Sequence, residues 1–436
     1  MLEQIDMDKV KRFEHIGKLL YCCFFCMLCY SLQIAGKNIT YNIYSQANLT
    51  FIYPMQFGIS HFISPFALLF VDAIISNFRM GFVIYLGTFN AFTYLLGSLM
   101  VASCSEEQYF FCNPYTLTIT IGIETFFGGI ANCIFYVSYA VYANSLTNSY
   151  NKQLYLGIAY SILSTCQVLG NTIGYLFSNK VSIFHYYLFL VIGILFIQFF
   201  LLFVKDIRPK NQRQSLIFTQ LIKQQLDQLK IAFSYPKFQS LIPYTLFSSM
   251  LQGCYFNVLP VLLKGVLGKT DNQKSFIMFF FGGVGSLLGG FISGRIGHWT
   301  SLFNVAWLQT FLVCVFCVQS LYSYADKILF MTYTSGLNLG LTYSGLEALH
   351  AMMIAKLINK ENYYYVANSA VCSLASTLIS VVFIFLSKTT FMYYLYFMVI
   401  LIFFNITFLV ISQRKFKSMK KISLINTEQT DSLTKE

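Results

Sequence analysis

The chain has 436 residues, 56% of them hydrophobic and only 11% charged, against roughly a quarter charged in an ordinary soluble domain. A soluble globule of this size would lack the polar side chains to cover its surface, which excludes soluble enzymes, disulfide-stapled secreted scaffolds and disordered regulators. The net charge of +12 then reads as the Lys and Arg excess that gathers on the cytoplasmic side of membrane proteins, with no nucleic-acid partner implied.

A helical crossing of a hydrocarbon core about 30 Å thick takes about 20 apolar residues. After an N-terminal tail (1–16), apolar runs fall at 17–36, 53–70, 80–102, 117–143, 154–177 and 184–204, which predicts an N-terminal six-helix bundle over 17–204. A polar stretch (205–240) follows. Runs at 241–263, 275–293, 301–322, 328–354, 366–386 and 391–411 predict a second six-helix bundle over 241–411, with a tail at 412–436. The expected fold class is an all-α polytopic membrane protein with twelve transmembrane helices in two bundles. None of the runs alternates with the period of two that a membrane barrel requires.

An even number of crossings puts both ends on one side. With that side inside, 22 of the 29 Lys and Arg fall inside and 7 outside, the asymmetry expected of a protein with both termini cytoplasmic. Lys37 counts among the outside residues, in the loop after the first span. The integral membrane protein is expected in the plasma membrane or an endomembrane.

Taken along the chain, the first outside loop carries two glycosylation sequons, at Asn38 and Asn48. Cys104 and Cys112 bracket the loop between the third and fourth spans, where a disulfide would form if that face is oxidising. In the central stretch Leu216, Ile217, Leu221, Ile222, Leu226, Leu229 and Phe233 recur at helical spacing. This predicts an amphipathic helix that either lies in the membrane interface or braces the two bundles. In the eighth span Gly285 and Gly289, and Gly290 and Gly294, form small-xxx-small pairs that let helices approach closely.

Ionisable groups within spans are costly and mark function by default. They are few: His61, Glu124, and Glu347 with His350, the last two three apart on one helical face. They suggest a proton or cation relay, since a buried carboxyl can hold a proton that a nearby imidazole shares. The alternative is structural, with Glu347 bonded to His350. Asn132, Asn171, Gln252, Asn257 and Asn338 are candidates to line a central cavity, although such amides more often join helices. No phosphate-binding loop, nucleophile constellation or metal set is evident, so neither an enzyme nor a cofactor is expected.

The halves repeat one another faintly. Asp72 and Arg79 follow the second span and Arg295 follows the eighth, each Arg near a Gly in a short loop. Parallel six-span repeats with such loops resemble the major facilitator superfamily, which implies that these three residues cap neighbouring helix ends and gate the conformational change. The fourth and fifth spans narrow the resemblance. Gly122, Gly128, Gly129, Ala131 and Asn132 precede the run 134–142 (Ile-Phe-Tyr-Val-Ser-Tyr-Ala-Val-Tyr), then come Gly157-Ile158 and Gly170-Asn171. This is similar to the UNC-ninety-three-like branch, with Phe135 or Tyr136 where that branch has Trp.

The resemblance implies a facilitator fold and a protein that regulates or escorts another membrane protein, such as an ion channel or receptor. The alternative is a secondary active transporter, proton-coupled in one version, that moves a small solute or ion by alternating access. The expected partners are accordingly the lipid bilayer and either a second membrane protein or a small solute.

Overall fold

A computed structural model describes residues 15–104, 112–146, 152–178, 180–206, 218–354, 358, 362–387 and 389–433. The N-terminal half comprises α1 (Ile16–Gln46), α2 (Ile52–Asn77), α3 (Met80–Ser103), α4 (Pro114–Ser145), α5 (Lys152–Phe177) and α6 (Ile183–Leu201). A shorter α7 (Phe218–Ser234) leads into α8 (Pro236–Leu267), α9 (Asn272–Trp299), α10 (Leu302–Asp326), α11 (Leu329–Met353), α12 (Asn362–Leu386) and α13 (Phe391–Leu433). Among the described residues there is no strand.

Ten of these helices are long and apolar enough to cross a membrane. The other two long ones, α5 and α11, carry interior polar residues, including Gln167 and Asn171 in α5 and Asn338, Glu347 and His350 in α11. Both sit inside the bundle. Helix α5 packs against α1 and α9, and α11 against α8, α9 and α10.

Helix ends follow local chemistry. Ser182, Asp271 and Ser301 cap α6, α9 and α10 by accepting from backbone N–H groups one turn in. Pro236 opens α8, and Gly268 closes it at φ 69°. The surface is inverted relative to a soluble protein. Phe291, Phe330, Phe385 and Phe403 are each at least two-thirds exposed, while Asn, Gln, Ser and Thr side chains lie buried between helices. In lipid the apolar effect does not drive helices together, so close packing and interhelical hydrogen bonds do that work.

The closest packing is between α9 and α11. A Cβ on Gly285 or Gly289 would collide with the α11 carbonyls of Leu337 or Leu341, and one on Gly340 would meet the backbone of Gly282. The second small-residue pair differs: Gly294 has open space where its Cβ would be. The predicted amphipathic helix appears as α7, packed on α2 of one half and on α8 and α12 of the other. Leu216 and Ile217 of that prediction lie outside the described residues.

The halves meet along α2 with α12 and α5 with α9, and their contact is asymmetric. On the face remote from the chain ends, one apolar cluster runs through both halves, joining Tyr44, Tyr53, Leu95 and Tyr187 to Tyr255, Phe256, Phe276 and Phe383. On the face that carries the ends, the core divides, with one cluster in the first half and, in the second, a main cluster and a smaller one at α7. Cys22, Val71, Tyr139 and Tyr142 belong to the first, and Tyr244, Val305, Leu349 and Leu409 to the second. Val366 of α12 reaches across to the first.

Candidate functional site

Helix α1 does not stop at Gly36. It continues to Gln46 because its polar residues find partners within the bundle. Asn38 donates to Asn171 Oδ1 on α5 at 2.6 Å, Thr40 Oγ1 lies 3.2 Å from the Tyr187 hydroxyl on α6, and the same hydroxyl donates to the Gly36 carbonyl at 2.9 Å. The sequence-based placement of Asn38 in an outside loop is therefore corrected. It is buried mid-helix, where no glycosyl transfer can reach it. Asn48, by contrast, is exposed in the turn that follows, at φ 58°.

The same extension carries Lys37 into the bundle. Its Nζ lies 4.3 Å from the centroid of Phe57 on α2 and 3.8 Å from that of Phe256 on α8, with Tyr94 of α3 at 5.9 Å. Rings from both halves thus grip one ammonium. Cys166 of α5 and His61 of α2 lie within its electrostatic reach, and His61 stacks on Phe57 at 6.4 Å. Cation–π contacts contribute about 0.5–2 kcal/mol each, short of the several kcal/mol it takes to bring a lone charge in from water. Lys37 was not among the sequence-based site candidates. Its signal was the continuation Lys37-Asn38-Ile39-Thr40, polar residues of good length and spacing for a buried helix face.

From Lys37 the site continues into the second half. The Phe256 ring meets Tyr343 of α11 at 5.8 Å, and Tyr343 lies within electrostatic reach of Glu347 one turn along. Glu347 is exposed although its helix runs through the interior. Cys372 of α12 lies within its electrostatic reach.

The proposed pairing of Glu347 with His350 does not occur. His350 turns away and is buried, with Nε2 2.7 Å from Ser248 Oγ on α8 and Nδ1 3.9 Å from Cys372 Sγ. Glu124 is separate again, in the first half, packed on Gly97 of α3 with its Oε2 buried and without a hydrogen bond.

The amides divide the same way. Asn90 donates to Asn132 at 2.9 Å between α3 and α4, Gln252 donates to the Tyr343 carbonyl at 3.1 Å, and Asn338 donates to Gln319 at 2.6 Å. These three, with Asn171, are joints between helices. Asn257 donates within its own helix to Gly253 at 3.2 Å and leaves its Oδ1 unpaired.

Two halves of parallel layout around an interior interface invite comparison with known proteins. The family model described as Major Facilitator Superfamily matches residues 109–362, more than half of the chain. The chain belongs to the Major Facilitator Superfamily. None of the curated proteins compared matches it. Among solved structures, a POT family transporter in complex with 5-aminolevulinic acid superposes with a TM-score of 0.65 at 12% identity, covering 91% of this chain and 96% of the other. A D-xylose–proton symporter gives 0.63 at 11% identity, with the same coverage. At these identities the likeness shows the facilitator fold alone.

The loop residues that the superfamily resemblance singled out are placed differently from expectation. Arg79 is exposed at the start of α3 without capping it through its side chain. Asp206, beyond α6, does that instead: its Oδ2 accepts from the Met80 N–H at 3.1 Å, a carboxylate at a helix N-terminus. The side chain of Asp72 lies outside the described residues. Arg295 is inside α9, which runs to Trp299, and its guanidinium stacks 4.4 Å from the Trp299 ring. On the other face Cys104 and Cys112 form a disulfide.

Proposed function

We propose that this Major Facilitator Superfamily member is a secondary transporter that moves a small solute by rocking its two halves about a site at their interface. The observation that carries the reading is the asymmetric core: continuous across both halves on one face, divided on the other. Lys37 contacts Phe57 and Phe256 at the continuous cluster, Tyr343 packs against that cluster, and Glu347 follows one turn along α11. A protein that only regulates or escorts a partner through its lipid-facing helices has no use for an ammonium gripped by rings from both of its halves. The regulatory reading, which rests on the likeness of α4 and α5 to the UNC-ninety-three-like branch, therefore ranks second.

With the Lys and Arg excess cytoplasmic, the divided face is cytoplasmic and the structure is inward-facing. Glu347 is then the group that takes up and releases a coupling proton, since it is exposed while His350 is buried. The chemistry is non-covalent throughout.

The test is reconstitution of the whole protein in vesicles with an imposed pH gradient, screening solutes for linked proton movement. Transport expected of the wild type should lose its proton coupling in Glu347→Gln. Absence of flux for every solute, together with a membrane protein that co-purifies one to one, would return the regulatory reading to first place.

A further inference from the structure

The transporter reading leaves the solute's chemistry open, and Lys37 narrows it. Its ammonium makes no hydrogen bond or ion pair among the described residues. The groups within its electrostatic reach are a thiol and an imidazole, neither of them an anion at neutral pH. Among the described side chains, the two mid-span carboxyls that could balance it are elsewhere. Glu124 packs on Gly97 near Gln56, and Glu347 lies beyond Tyr343 on α11.

Lys37 is also only half-buried, so the residue is not sealed within the bundle. A charge held in the interior and without a counter-ion among the described residues is matched to a charge supplied from outside.

The surroundings restrict the rest of the solute. The walls are rings: Phe57, Tyr94, Phe256 and Tyr343. Most nearby amides are already used, Asn171 with Asn38 and Gln252 with the Tyr343 carbonyl. Oε1 of Gln167, Oδ1 of Asn38 and Asn257, and the hydroxyls of Tyr94 and Tyr255 remain unpaired, neutral groups that can meet the solute's polar atoms without adding charge.

We propose that Lys37 docks the anionic group of the solute, and that the solute is a small organic monoanion whose apolar body rests against Phe57, Phe256 and Tyr343. Because Phe57 and Phe256 belong to opposite halves, an anion bound to Lys37 bears on the interface that must rearrange in transport. The inference rests on the transporter reading and names its substrate class.

The test uses the full-length protein in lipid nanodiscs, with two sets of probes: linear and aromatic monocarboxylates, and the corresponding neutral amides. Binding is read by thermal stabilisation. At least one carboxylate should bind while its amide does not. Lys37→Met should weaken that binding about tenfold or more, which corresponds to 1.4 kcal/mol, and Lys37→Arg should retain most of it.

Because Lys37→Met could fail to fold, a second measurement uses the wild type alone. Modification of Lys37 by an amine-directed aldehyde, followed by mass spectrometry, should be slowed by the carboxylate and not by the amide. Carboxylate binding that is unaltered in Lys37→Met, no protection of Lys37, or no binding by any carboxylate would each overturn the inference. Flux of a neutral or cationic solute alone would overturn it while leaving the transporter reading intact. Absence of all flux strikes that reading separately.

Discussion

The side-chain amide of Asn42, near the far end of α1, donates to Asn272 Oδ1 at 2.9 Å and to Ser275 Oγ at 3.1 Å at the start of α9, tying the two halves together on the face where their core is continuous. Two further bonds cross there. Lys264 donates to Ser45 Oγ at 2.8 Å, and the Tyr53 hydroxyl donates to the Phe256 carbonyl at 3.1 Å. All must break for that face to open.

The first prediction follows from this latch. Interhelical hydrogen bonds in membranes contribute about 0.6 kcal/mol each on average. Asn42→Ala combined with Lys264→Met should therefore move the balance between conformers by roughly 1–2 kcal/mol, enough for a change of about tenfold. Spin labels on the far ends of α1 and α9 should report a larger population at long distance. An unchanged distance distribution would show that the apolar cluster alone keeps this face closed.

The α9–α11 contact gives a second prediction. Gly289→Leu must push the α11 backbone away from Leu341, and overpacking of this kind costs about 1–3 kcal/mol. The melting temperature in detergent should fall clearly. Gly294→Ala, at a position with open space around it, should leave it unchanged and serves as the control for helix propensity.

Third, Glu347 and His350 should separate by phenotype. His350→Ala removes the partner of a buried Ser248, a loss worth about 1–3 kcal/mol, so it should destabilise the protein. Glu347→Gln touches an exposed group and should leave the stability within about 0.5 kcal/mol of wild type while altering proton-linked transport. Equal destabilisation by both would mean that Glu347 is structural.

How far the sequence made this visible depends on what hydropathy measures. It places the lipid-facing helices well, because a run such as 391–411 is apolar whatever surrounds it. It also finds α5 and α11, which are less apolar yet still periodic. It fails at Lys37. A polar run that enters the protein interior and one that leaves the membrane look alike in one dimension. Only the partners supplied by α5 and α6, Asn171 and Tyr187, distinguish them. The spacing of Glu347 and His350 was likewise legible as one helical face, but Ser248 and Cys372, which draw His350 aside, come from helices about a hundred and about twenty residues away. Asp206 was missed because the acid that caps α3 lies beyond α6 and outside the loop it serves.

The corrected end of α1 gives a last prediction, on the far face. Both sequons were assigned to one loop, yet Asn38 is buried against Asn171 and Asn48 is exposed. Expressed in a secretory-pathway cell, the protein should show a single step in gel mobility on glycosidase treatment. Asn48→Gln should abolish that step. Asn38→Gln should leave it in place while lowering stability, because Asn171 loses a buried partner at a cost of about 1–3 kcal/mol. Cys104 and Cys112, bonded on the same face, should resist an impermeant thiol reagent until reduced and then react from outside intact cells. Labelling of these thiols only after permeabilisation, with no mobility step, would place this face in the cytoplasm and reverse the inward-facing assignment: the 22 Lys and Arg on the face with the chain ends would then be outside, against the bias that oriented the molecule.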